Sequence, residues 1–183
     1  MESTVLYRKE TVRGIDAALQ TVPEKTIMQL LEAIKTAPCT FFTGAGRSFL
    51  MLKATAMAMM QINYPVHVTG EVTTPSVKAG DLLIVASCSG ETKSVCLFVE
   101  QAKAVGAKIA LITGNPDSTL GKLADIVVVM SCMPEPGSVQ ESWVVDNRFE
   151  QAIVPFGDCL VEFLARAQGS TKSTISSNHA NME

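Results

Sequence analysis

Apolar positions along this chain recur in two rhythms, short continuous runs and longer stretches with helical spacing, and from residue 38 onward the two alternate. The runs 39–43, 66–69, 82–86, 108–113 and 126–130 are each of strand length and are bounded by Gly, Pro, Asn or Asp, which predicts five strands. Leu82-Leu83-Ile84-Val85-Ala86, Ile109-Ala110-Leu111-Ile112 and Ile126-Val127-Val128-Val129 carry no polar alternation. Strands of that kind are parallel and covered on both faces. Segments 48–62, 92–105 and 119–123 then form the crossover helices, and right-handed crossovers build an open doubly wound sheet. The pattern therefore predicts an α/β protein, a three-layer αβα sandwich around a five-stranded parallel sheet. Helices over 4–20 and 24–36 precede it. A last helix over 148–168 follows, with Phe149, Ile153, Phe156, Leu160 and Leu164 forming an inward stripe and Pro155 inside the pattern as a possible bend.

Two stretches lack periodicity. Segment 131–146, with Pro134, Glu135, Pro136, Gly137 and Trp143, has the length of a lid or an interface segment, although packing is the default role for Trp143. The polar tail 169–183 is expected to be disordered unless a partner orders it.

Composition narrows the function classes. At 183 residues and 47% hydrophobic content the chain can bury one substantial core. A net charge of −3 leaves no cationic excess for nucleic acid or an anionic membrane, and neither is expected as a partner. Cys39, Cys88, Cys96, Cys132 and Cys159 are odd in number and contain no C-x-x-C pair, which argues against a disulfide framework and a zinc knuckle and fits a reducing cytoplasm. The apolar stretch 49–60 is interrupted by Lys53 and is too short to span a bilayer. The two histidines, His67 and His179, stand apart from any cysteine cluster, so no metal site is expected. His67 is taken as structural or exposed, and Met51, Met57, Met59 and Met60 as core or interface filler.

Ligands of open α/β sheets bind beyond the carboxyl ends of the strands. After the first strand comes Gly44-Ala45-Gly46-Arg47-Ser48, two glycines that permit close backbone approach, followed by a guanidinium and a hydroxyl. After the third comes Ser87-Cys88-Ser89-Gly90-Glu91-Thr92, which offers hydroxyls and backbone N–H groups at a helix N-terminus. Such a turn can ring a phosphate dianion with neutral donors. The same residue types also serve simply as helix caps. A dinucleotide fingerprint competes for the first turn. Its third glycine is replaced by Phe49, no acidic residue closes the second strand, and no Walker lysine follows either turn.

These motifs, together with Gly70-Glu71-Val72-Thr73-Thr74-Pro75, Lys93-Ser94, Phe149-Glu150-Gln151 and His179-Ala180-Asn181, resemble in order and spacing the sugar isomerase (SIS) superfamily. Within it they are most similar to the 6-phospho-3-hexuloisomerases of the ribulose monophosphate pathway. The resemblance implies a flavodoxin-like sheet and one SIS domain over 1–183, with N-terminal helices over 1–37, an α/β core over 38–168 and a tail over 169–183. It implies isomerisation of a sugar phosphate without metal or organic cofactor, in a homotetramer whose sites are completed across subunits. Ser48, Ser87, Ser89, Gly90 and Thr92 would hold the phosphate, and Gly46, Arg47 and Glu71 would lie against the sugar. Glu150 would be the general base, and His179, delivered by a neighbouring subunit, the acid or ring-opening group.

Without the resemblance, Glu150 is an ordinary helix carboxylate and His179 a tail residue with no role. The chain departs from the family pattern at Phe49, Ala58, Gln61 and Val145-Asp146-Asn147. Those departures keep open a non-catalytic phosphosugar-binding module, or an isomerase of a different phosphosugar.

Overall fold

The computed structural model describes residues 4–131 and 147–182. Most of the long aperiodic stretch lies outside them, including Cys132, Trp143 and the departure at Val145-Asp146. The elements run α1 (Thr4–Gln20), α2 (Glu24–Thr36), β1 (Thr40–Gly44), α3 (Gly46–Gln61), β2 (Val66–Val68), β3 (Leu82–Ala86), α4 (Lys93–Ala104), β4 (Lys108–Thr113), α5 (Thr119–Leu123), β5 (Ile126–Val129), α6 (Arg148–Ala167) and α7 (Lys172–Ser177). All strand pairs are parallel, in the order β2-β1-β3-β4-β5. That is the flavodoxin-like order, with its switch point between β1 and β3.

The unbroken apolar strands make sense once both faces are covered. In β3, Leu82 and Ile84 face the cluster that also holds Leu30, Ile34, Phe149 and Ile153 from α2 and α6. Leu83 and Val85 face the opposite cluster, with Val95 and Val99 of α4 and Leu120 of α5. Successive strand residues point to opposite faces, so Phe42 and Phe41 of β1 divide the same way. The stripe expected on α6 is buried as Phe149, Ile153, Phe156, Leu160 and Leu164, and the helix continues through Pro155. Of the methionines, Met59 is fully buried and Met57 and Met60 are exposed. The ring of His67 lies 5.4 Å from that of Phe41, a packing contact.

One expectation is corrected. The tail is ordered by this chain itself: Thr171 and Thr174 form a reciprocal capping box that starts α7. Asn178 then donates to Gln61 O (3.0 Å) and Asn63 Oδ1 (2.8 Å), and Gln168 donates to Ile62 O, which docks the tail at the C-terminal end of α3.

The packing of α3 on α6 matters for function because those helices carry Ser48 and Glu150. At their crossing, Gly157 leaves room for Thr55, whose buried hydroxyl lacks a partner among the described residues. A Cβ on Gly157 would stand 1.9 Å from Thr55 Oγ1 and 2.9 Å from its Cβ. Overpacking of this kind costs about 1–3 kcal/mol, so Gly157→Ala is expected to lower unfolding stability by that amount in urea titration. Pairing it with Thr55→Ala should recover much of the loss.

Candidate functional site

The C-terminal edges of β1 and β3 place the two glycine turns side by side, because Gly44 and Ala86 are register partners. A Cβ on Gly44 would lie 3.0 Å from Ala86 O and 3.2 Å from Phe49 Cβ, so the strands approach closely where the chains leave the sheet. Gly46 follows with φ +55° and open space around it. Positive φ is costly for other residues, and the open side leaves room for a ligand against the main chain.

In the second turn Gly90 has φ +67°, and Ser87 Oγ accepts its N–H at 3.2 Å. Ser89 Oγ accepts the Glu91 N–H at 3.3 Å, and Ser87 Oγ lies 3.4 Å from Thr92 Oγ1. A hydroxyl that accepts a main-chain N–H still has its own proton to donate. Ser87 and Ser89 are thereby prepared as donors, in a turn that leads directly into α4. Helix N-termini attract anions through their unpaired N–H groups.

Beside these turns α6 begins. Ser48 is buried and its Oγ donates to Glu150 Oε1 at 3.2 Å, while Arg47 Nη1 donates to Asn147 Oδ1. Glu150 Oε2 is buried with no hydrogen-bond partner among the described residues. A carboxylate with one oxygen held and the other without a partner can accept a proton where a ligand reaches the second oxygen.

The structure thus brings together Ser48, Arg47 and Glu150, and sets Ser87, Ser89, Gly90 and Thr92 at the adjoining strand end. Glu71 follows β2, the neighbour of β1 on the side away from β3, and lies 3.9 Å from Lys53 Nζ at the rim of a cleft of about 270 Å³ with His67, Thr73 and Thr74. The Phe49 ring lies under the same lysine, 4.9 Å from Nζ, so the bulk at that departure packs along α3.

His179 is remote. It is exposed, with Nδ1 3.2 Å from Ala180 O, and follows Asn178 at the far end of α3, about 20 Å along that helix from Ser48. Within one copy of the chain it does not reach the site.

Asn115, Ser118 and Thr119 carry no site role in the sequence reading, and Asn147 enters it only as a departure from the family pattern. The run Asn115-Pro116-Asp117-Ser118-Thr119 carries the signal, since it combines turn and cap residues between a strand and a short helix. Burial pushes the thiols of Cys39 and Cys96 above the ordinary cysteine range, in both cases reinforced by neighbouring carboxylates, so neither is poised as a nucleophile.

Comparison with known proteins decides the family: the SIS domain pattern matches residues 34–145. The chain belongs to the SIS domain family. The 3-hexulose-6-phosphate isomerase of Bacillus subtilis (strain 168) is 33% identical over 183 residues, covering 98% of this chain and 99% of the relative. That of Mycobacterium gastri is 36% identical over 170 residues, 92% of this chain and 85% of the relative. A crystal structure of a hypothetical protein superposes on this SIS chain with a TM-score of 0.84 at 30% identity, covering 98% of each.

Proposed function

We propose that this SIS protein is a 3-hexulose-6-phosphate isomerase, interconverting 3-hexulose 6-phosphate and fructose 6-phosphate. The single observation that carries the mechanism is the half-engaged carboxylate of Glu150, held by Ser48 beside a hydroxyl-lined turn suited to a phosphate ester. Relatives with that activity align with nearly the whole chain, which supports the substrate.

The chemistry follows from where the carbonyl sits. Conversion of the 3-ketose to fructose removes the proton on C2, passes through a cis-enediol spanning C2 and C3, and returns a proton to C3. Glu150 takes and returns that proton. Arg47, Ser48 and main-chain donors near Gly46 stabilise the oxygens on which negative charge develops. The electrons stay within the sugar, so no redox cofactor is required. Ser87, Ser89, Gly90 and Thr92 hold the phosphate, and the binding energy of that remote group fixes the reacting carbons against the base. Glu71 shapes the far rim of the sugar site.

His179 opens the sugar ring or protonates its oxygen from a neighbouring copy, in a cytoplasmic homotetramer. Two facts support that reading: His179 lies far from Glu150 within one copy, and exposed apolar side chains line α1 at Val5, Leu6, Tyr7 and Val12. No described helix is long and apolar enough to cross a membrane. The domain is taken to run over 1–183, with the tail docked as described.

The direct test is to supply 3-hexulose 6-phosphate and a panel of other ketose and aldose phosphates and follow turnover by NMR. Rapid formation of fructose 6-phosphate is expected, and turnover of a different phosphosugar alone would contradict the assignment. The departures at Phe49, Ala58 and Gln61 favour one competing reading, a non-catalytic phosphosugar-binding module, which requires binding without conversion. A pH profile adds a further check. A turn of neutral donors around a dianion should lose affinity as the ester takes up a proton near pH 6 and becomes a monoanion, so kcat/KM is expected to fall below about pH 6 mainly through KM. A fall carried wholly by kcat would contradict a phosphate-directed grip.

A further inference from the structure

The phosphate turn is held from behind by the β4–α5 connection, bond by bond. Cys88 O accepts from Gly114 N at 3.1 Å and from Thr113 Oγ1 at 3.2 Å, and Ser89 O accepts from Asn115 Nδ2 at 3.3 Å. Gly90 O accepts from Leu120 N at 3.1 Å. The carboxylate of Glu91 accepts from Thr119 N and Thr119 Oγ1, each at 2.8 Å. Three successive carbonyls and one side chain therefore face the same connection. In a trans peptide the carbonyl and the N–H point in opposite directions. Fixing the carbonyls of Cys88, Ser89 and Gly90 on that side turns the N–H groups of Ser89, Gly90 and Glu91 toward the other, where Ser87 Oγ accepts the Gly90 N–H and Ser89 Oγ the Glu91 N–H and both hydroxyls keep a proton to donate.

Glu91 is the unexpected member, because a carboxylate beside a phosphate site should repel its ligand. Here both of its oxygens are occupied on the side away from the turn's donors, and the bonds from Thr119 hold its carboxyl below the usual carboxylate range. We infer that Glu91 is a positioning residue: through Thr119 it clamps the turn in its anion-binding shape, and it does not contact the substrate. The inference rests on the phosphate-binding role proposed above for this turn.

Charge and clamp act in opposite directions, so the sign of the effect decides between them. Removing only a like charge would tighten phosphate binding, whereas removing the clamp loosens it. Glu91→Ala is expected to raise the Kd for inorganic phosphate at pH 8 and the KM for sugar phosphate by about tenfold, the worth of one charge-assisted hydrogen bond, with kcat within about threefold of wild type. Glu91→Gln can still accept from Thr119 N and face its hydroxyl, and should restore both values to within about threefold.

Thr119→Val removes the hydroxyl from the opposite side without touching the turn. It should weaken phosphate binding in the same direction by about threefold, which keeps the test available if Glu91→Ala does not fold, as judged by circular dichroism. Unchanged or tighter phosphate binding in a folded Glu91→Ala overturns the clamp, as does a Gln variant as weak as Ala, or a loss confined to kcat. Failure of the wild-type protein to bind either phosphate or sugar phosphate would overturn the underlying site assignment as well. Normal wild-type binding with an indifferent Glu91 would overturn the clamp alone.

Discussion

Glu150→Gln is expected to lower kcat for 3-hexulose 6-phosphate by about 10²- to 10⁴-fold, the usual range for loss of a positioned general base, while KM stays within a few-fold of wild type. Glutamine has nearly the shape of glutamate and can still accept the Ser48 hydrogen bond that now reaches Glu150 Oε1 at 3.2 Å. It cannot take a carbon-bound proton. The split between kcat and KM is what distinguishes this prediction from general damage, because the turn proposed to bind phosphate after β3 is built from other residues and should still bind the ester. Steady-state kinetics with binding measured by calorimetry would show it. An unaltered kcat would remove Glu150 from the mechanism.

Gly90→Ala should instead strike binding. Its φ of +67° costs other residues about 1–2 kcal/mol, and an added Cβ would stand 1.9 Å from Ser118 Oγ and 2.4 Å from Ser118 Cβ. Neither atom can yield easily, since Ser118 caps α5 by accepting from Gly121 N and donates to Asn115 O at 2.7 Å. Relief requires moving the turn, which breaks the bond from Leu120 N to Gly90 O. Strain and overpacking together predict a stability loss of about 2–5 kcal/mol, and KM is expected to rise by at least about thirtyfold. Adding Ser118→Gly clears the clash but leaves the backbone strain, so it should recover only part of the loss. A Gly90→Ala protein with wild-type KM would show that the conformation at this position does not matter to the ligand.

Much of the architecture was legible because its causes are local. The apolar runs of β3 and β4 end at polar or glycine residues, and the structure returns Leu82–Ala86 and Lys108–Thr113 unchanged. The glycine and hydroxyl turns were also legible, since their residue types announce unusual backbone and helix starts. Four features were not. The contact between Ser48 and Glu150 joins residues 102 positions apart and depends on how α3 crosses α6, which no window along the chain reveals. The polarity of the tail hides both the Thr171–Thr174 capping box and a docking surface at Gln61 and Asn63 that exists only after folding. The bracing of the Ser87–Thr92 turn by Asn115 and Thr119 is not legible along the chain, because cap residues in a connection ordinarily mark its end. The 3.9 Å contact of Glu71 with Lys53 was likewise hidden, because it joins the segment after β2 to a side chain of α3.

The central claim is proton transfer between C2 and C3 of a phosphate-anchored hexose, and heavy water reads it directly. Fructose 6-phosphate incubated with the protein in deuterium oxide is expected to lose its C3 proton signal by NMR at a rate that depends on Glu150. Exchange at C1 instead would indicate a 1,2-enediol and a different isomerase. Bound sugar that exchanged no carbon-linked proton would contradict catalysis altogether.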